Sequence, residues 1–168
     1  GAYNFSGSGD YISVAHHNNL SMQANFTVAL WVKPDTSGFT VALAKGTCDG
    51  SSSCNYRVSA ETDRMMFYTR GTTDASVEAT GTYNDWVFFT GVHNGSHVLL
   101  YLDGVFQGAS AADTVDITDT GNLAIGRREY ASSYAYFDGY VDDVQIYNRP
   151  LSAEQILFLN ASRTDKIS

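Results

Sequence analysis

Proline is almost missing from this chain, with two residues in 168, and glutamate is nearly as scarce, with four. So little proline excludes long Pro-rich linkers. No apolar run is long enough to span a bilayer, and no signal-peptide pattern stands at Gly1, so the chain reads as a mature or excised domain. Positive charge is thin: ten Lys and Arg face eighteen Asp and Glu, for a net charge of −8 and a pI near 4.7. A surface of that sign repels phosphate backbones and anionic lipid, so nucleic acid and membrane insertion are excluded as expected partnerships. There is no Gly-x-Ser-x-Gly elbow for a nucleophilic serine and no Gly-rich phosphate loop leading into a helix. His16 and His17 fall in a polar stretch, and His93 and His97 flank Asn94-Gly95, where both read as exposed turn residues.

What the chain has instead is aromatic and β-branched. Eleven Tyr and nine Phe, with 43% hydrophobic residues, describe a folded protein built from strands. Phe26, Val28, Leu30 and Val32 alternate with Thr27, Ala29, Trp31 and Lys33, the period of a strand with two distinct faces. Trp31 and Trp86 both sit in apolar surroundings and read as core residues. The segments 86–92 and 97–102 flank Asn94-Gly95, and Asp103-Gly104 then separates 99–102 from Val105-Phe106; both dipeptides tolerate the positive φ of tight hairpins. One helix is expected after Pro150, where Ser152 and Gln155 stand at capping-box spacing ahead of Ile156, Leu157 and Leu159. Many short strands and one terminal helix predict an all-β, two-sheet antiparallel jelly-roll sandwich with one short C-terminal helix, a single domain over residues 1–168.

The two cysteines, Cys48 and Cys54, close a short polar loop. Zinc needs two more ligands, and none stand at suitable spacing; a disulfide is the favoured reading over free thiols, and it implies an oxidising compartment. The glycosylation acceptor pattern occurs at Asn4, Asn19, Asn25, Asn94 and Asn160, a modest excess over chance. Together these predict a secreted or cell-surface location.

The stretch from Phe137-Asp138-Gly139-Tyr140-Val141-Asp142-Asp143 through Ile146-Tyr147-Asn148-Arg149-Pro150-Leu151-Ser152-Ala153-Glu154-Gln155-Ile156 resembles the C-terminal signature of laminin-G-like domains, which belong to the concanavalin A-like jelly rolls. The segments Phe5–Ile12, Phe26–Pro34, and Trp86–Val92 followed by Leu100–Gly104 resemble the family's opening strand, second strand and central hairpin, in the right order. The resemblance implies carbohydrate-binding or adhesive modules of extracellular proteins, and a structural calcium ion in many members. The same fold hosts glycoside hydrolases that resemble a Glu-x-Asp-x-x-Glu strand. Here the nearest stretch is Glu61-Thr62-Asp63-Arg64-Met65-Met66, and Met66 stands where the second carboxylate is needed, so no enzyme is expected.

Candidate site residues follow from chemistry. On strict alternation Asp142 shares a face with Val144 and Ile146, and Asp10 with Ile12 and Val14. A carboxylate ending an apolar face needs a partner or a metal, so Asp142, then Asp10, then Asp143 are the expected calcium ligands, the alternative being solvated strand ends or turn caps. Arg128, Tyr130, Tyr134 and Tyr136 mix aromatic and polar groups in a presumed loop, either a glycan contact or an ordinary strand edge. Two functions remain: a calcium-stabilised carbohydrate-binding module, or a protein-contacting adhesive or structural module. The partner is a glycan or a cell-surface protein, met as part of a larger multidomain assembly.

Overall fold

The computed structural model of the chain describes residues 1–48, 53–71, 74–112, 120–130 and 133–162, and only the backbone of residues 53, 129, 130, 133 and 134. The first elements are β1 (Tyr3–Ser6), β2 (Ile12–Val14), a single 3-10 turn at Asn18–Leu20, β3 (Phe26–Pro34), β4 (Val41–Thr47) and β5 (Ser53–Glu61). Next come β6 (Arg64–Arg70), β7 (Asp74–Thr80), β8 (Val87–His93), β9 (Val98–Leu102) and β10 (Val105–Ala109). The chain ends with β11 (Leu123–Ile125), β12 (Arg127–Tyr130), β13 (Ser133–Tyr136), β14 (Asp138–Tyr147) and the helix α1 (Ala153–Ala161). One sheet runs β1-β14-β3-β8-β9-β10; the other runs β13-β12-β4-β5-β6-β7, with β11 paired to β4 and β2 to β11. The expected all-β two-sheet sandwich with one C-terminal helix is what forms. First and last strands are neighbours, as β1 pairs antiparallel with β14.

Alternation sorts the side chains. Phe26, Val28, Leu30 and Val32 of β3 join the central cluster between the sheets, while Ala29 and Trp31 face the other way, into a second cluster with Phe88, Leu151 and Ile156. In β7 the buried Ala75, Val77 and Ala79 alternate with exposed Asp74, Ser76, Glu78 and Thr80. Helix α1 begins with its expected cap: Ser152 Oγ accepts from Gln155 N at 3.3 Å and Gln155 Oε1 accepts from Ser152 N at 3.0 Å. Its Ile156 is fully buried against the outer side of the six-stranded sheet. Both hairpin turns have the backbone their residues favour, with φ of 94° at Gly95 and 51° and 78° at Asp103 and Gly104.

One contact sets how closely the sheets approach. The buried ring of Phe67 on β6 lies against the backbone of Gly91 on β8, where an added Cβ would come within 2.3 Å of Phe67 Cγ. Phe26 and Phe89 present ring edges to Phe67, each with centroids 6.2 Å away. Gly91→Ala therefore forces the ring and both strands to shift. We expect a loss of about 2 kcal/mol or more, read as a fall of about 4–8 °C in melting temperature, with the urea m-value unchanged.

Candidate functional site

The expected aspartate ligands do not come together. In β14 the pairing with β3 slips between Asp142 and Gln145, at a bulge where Asp143 takes φ 49°. The extra residue inverts the alternation. Asp142 pairs with Trp31 on the outer side, while Ile146 pairs with Val28 and packs on the core with Val144. Asp142 thus leaves the face it was expected to share with Val144 and Ile146, and its Oδ1 accepts from Asp143 N at 2.8 Å. Asp143 Oδ2 accepts from Gln145 Nε2 at 2.7 Å. Asp10 precedes β2 and is exposed, taking a hydrogen bond from Ser6 N at 3.1 Å, and hydrogen bonding from Ser6, its hydroxyl first and its backbone N–H second, holds the Asp10 carboxyl below the usual range. It stands past the Ser6–Asp138 end of the β1–β14 ladder, whereas Asp142 lies past the Tyr3–Val141 end. The carboxylate beside its turn is that of Asp138, against Gly7. Among the described residues no three His, Cys, Asp or Glu are grouped to hold a metal ion.

A second constellation is built from cross-strand neighbours on the outer face of the eight-stranded sheet. Ala44, Arg57, Tyr68 and Ser76 are directly opposite one another across β4, β5, β6 and β7. The Arg57 guanidinium lies 4.5 Å from the Tyr68 ring centroid and 5.5 Å from that of Phe39, and Arg128 lies 5.0 Å from the same Phe39 ring. Burial pulls the Arg57 guanidinium down to about 10, with the charge of Arg128 adding to the effect. Asp74 pairs with Arg70 at 3.7 Å and hydrogen-bonds the Tyr68 hydroxyl. Burial, seconded by Asp74, pushes the Tyr68 phenol up. Arg57, Tyr68, Arg70, Asp74 and Arg128 line a cavity of about 200 Å³ whose wall is completed by the Cys48–Cys54 disulfide. That disulfide is formed as expected, with Cα atoms 4.2 Å apart. Its short ring is worth about 2 kcal/mol of chain entropy.

The segment around Arg128 is a β12–β13 hairpin at a sheet edge, not a loop, with Arg128 opposite Ala135 and Tyr136 opposite Arg127. Arg128 thus faces the cavity, while the half-buried Tyr136 stands on the other side of the strand pair. The side chains of Tyr130 and Tyr134 lie outside the described residues. Arg57, Tyr68 and Phe39 were not singled out from sequence. The alternation of β6, with Met65, Phe67 and Thr69 buried and Met66, Tyr68 and Arg70 at the alternate positions, is the signal that assigns Tyr68 to the outer face.

Two further placements, of His93 and Trp86, differ from expectation. His93 is fully buried, stacked on Phe26 at 5.7 Å, because it ends the inward-facing row of β8. Trp86 is only half-buried, beside Tyr140 at 6.2 Å, because it precedes β8 and its core-facing row. Glu61 is buried and bound by Arg64 through both oxygens, at 3.1 and 3.2 Å, as a structural ion pair. Of the glycosylation candidates, Asn4, Asn19, Asn25 and Asn94 are exposed. Asn160 is half-buried and its Nδ2 donates to Asp103 O at 3.0 Å.

Comparison with known proteins places these features in a lineage. The sequence profile described as the concanavalin A-like lectin/glucanases superfamily, in its laminin-G-like branch, matches residues 6–157. Usherin of Rattus norvegicus is 28% identical over 174 residues, covering 94% of this chain and 3% of usherin. The chain thus spans a small fraction of that relative. Domain 4 of AbnA, an extracellular GH43 arabinanase from Geobacillus stearothermophilus solved with arabinotriose, superposes with a TM-score of 0.70 at 18% identity, covering 95% of this chain and 76% of that one. The binding domain of botulinum neurotoxin DC, solved with rat synaptotagmin II, superposes with a TM-score of 0.71 at 13% identity, over 96% of this chain and 43% of the other. At these identities the structural likeness shows the fold.

Two outcomes follow from the site geometry. Because Asp10 and Asp142 occupy different ends of one ladder, the effects of Asp10→Ala and Asp142→Ala on unfolding free energy in calcium should add within about 0.5 kcal/mol; a shared ion would make them strongly non-additive. In a secretory host, glycopeptide mass spectrometry should find glycan at Asn4 and Asn19 and none at Asn160, whose amide nitrogen is already committed.

Proposed function

The chain belongs to the laminin-G-like family of the concanavalin A-like lectin/glucanases superfamily, and from that membership we propose that it is an extracellular carbohydrate-binding module that binds at the outer face of its eight-stranded sheet. The observation that carries the site is the Arg57–Tyr68–Arg128–Phe39 group. Guanidinium forks and a phenol line a small cavity beside a partly exposed aromatic ring. Saccharide sites combine such a ring, which stacks on the apolar face of a sugar, with a few fixed polar groups that read its hydroxyls. The binding role is supported by the solved relative that holds arabinotriose. An extracellular location is supported by the disulfide, and membership of a larger multidomain protein by the small share of usherin that the chain spans. No helix among the described residues is long and apolar enough to cross a membrane.

We propose no calcium in the contact with the saccharide. Asp142, Asp10 and Asp143 do not fit one shared ion, and nothing in the proposed contact with a saccharide runs through a metal. Nor does the proposal include catalysis. The carboxylate of Glu61, the first acid of the hydrolase-like stretch, is held by Arg64.

A second reading, contact with a protein, has its own observation. Val105 and Phe106 on the edge strand β10, and Leu157 and Phe158 on α1, are each more than half exposed. They adjoin one another where Leu157 meets Gly104. Apolar patches of this kind mark protein contacts.

A glycan array separates the two. On the first reading the purified domain gives saccharide hits, and Arg128→Gln weakens them about tenfold, the cost of one charged hydrogen bond, while Phe158→Asp leaves them unchanged. A silent array together with a partner lost on Phe158→Asp supports the second reading instead.

A further inference from the structure

Positive charge is scarce in this protein, yet three of its ten basic side chains, Arg57, Arg70 and Arg128, line one small cavity. Like charges held together in a partly dry site repel, and at Arg57 burial first and the charge of Arg128 second disfavour the charged guanidinium. Among the described residues the acid in the cavity wall is Asp74, and it is already engaged by Arg70 and the Tyr68 hydroxyl. Arg57 has no carboxylate within ion-pair distance among the described residues. Its Nε is closed off from solvent without a hydrogen-bond partner. A buried guanidinium donor left unmatched is costly, and an oxyanion that offers two neighbouring oxygens is the group its fork is shaped to receive. The stacking of Arg57 on Tyr68 and Phe39 holds that fork in place before any ligand arrives.

Size and field narrow the ligand. A volume of about 200 Å³ admits one acidic group and part of a sugar ring, not a chain. The net charge of −8 repels a polyanion approaching from a distance, whereas a lone anion meets the cavity only at short range, within about a Debye length of 8–10 Å. We propose that the Arg57–Arg128 cavity receives the single acidic group, a carboxylate or a sulfate, of a monoanionic sugar residue. This rests on the saccharide-binding reading above and names the ligand class of that site.

The test is an NMR titration of the purified domain, a method that reads millimolar affinities, with methyl β-glucuronide and galactose 6-sulfate beside their neutral counterparts, methyl β-glucoside and galactose. Both acids are expected to bind at least about tenfold more tightly than the neutral sugars, the gain of one charge-assisted contact, and to move the Arg57 Nε–H resonance. The tighter of the two acids identifies carboxylate or sulfate as the preferred group. Arg57→Lys keeps the charge but loses the fork, and Arg128→Gln removes a charge on the exposed side. Each should cost the acids about tenfold more than it costs their neutral counterparts. Melting temperatures check that both variants fold, and Arg128→Gln keeps the test open if Arg57→Lys does not. Acid binding indifferent to both substitutions would place the anion elsewhere and overturn the proposal. Neutral sugars bound as tightly as the acids would overturn it while leaving the saccharide reading intact, and binding of no sugar in either the titration or the array would end both.

Discussion

The seat of the Phe67 ring on the bare backbone of Gly91 is the contact on which the remaining geometry depends. It lets β6 of one sheet approach β8 of the other more closely than any side chain at position 91 would permit. Phe26 and Phe89 then close around the ring from the opposite sheet. With Phe67 committed to the core, its chain neighbours have no choice of side. Tyr68 and Arg70 must point outward because successive residues of a strand face opposite ways. Pairing then carries that orientation across the sheet to Arg57 on β5. The cavity outside is in this sense a consequence of the packing inside.

That outer face concentrates charge where it is least comfortable. Arg57 is flanked by rings and partly dried by them, with Arg128 near enough to lower its proton affinity. A fold selected only for stability has little use for such an arrangement, since an apolar residue in place of a buried cation is often neutral or better. Strained electrostatics of this kind cluster where proteins meet ligands. Glu61 makes the contrast: more deeply buried than Arg57, it has its charge met by Arg64 through two hydrogen bonds, and so belongs to the scaffold.

A single inserted residue decides the fate of the aspartates. Strict alternation places Asp142 with Val144 and Ile146. The bulge at Asp143 turns it outward beside Trp31 instead. Strand period is legible in a sequence, but a bulge is not, because it depends on how two strands settle in register against a common core. The same limit explains His93 and Trp86. One is drawn inward at the end of β8 onto Phe26, and the other is left half out before β8 begins.

Local signals were enough for much of the protein. Ser152 and Gln155 cap α1, Asn94-Gly95 and Asp103-Gly104 turn their hairpins, and the alternation of Phe26 to Val32 divides β3 between two clusters, because each rests on contacts a few residues apart or on strand period alone. Cys48 and Cys54 were paired by their spacing for the same reason. Tertiary structure alone decided the site. Arg57 and Arg128 stand 71 positions apart in the chain and Phe39 belongs to neither of their strands, so the meeting of the two arginines at one cavity and over one ring depends on sheet order. The amino-acid sequence by itself determined the cap of α1, the two hairpin turns, the disulfide and the two faces of β3; the pairing of the strands, with its bulges, determined which charges meet, since electrostatic contact follows distance in space and not position along the chain.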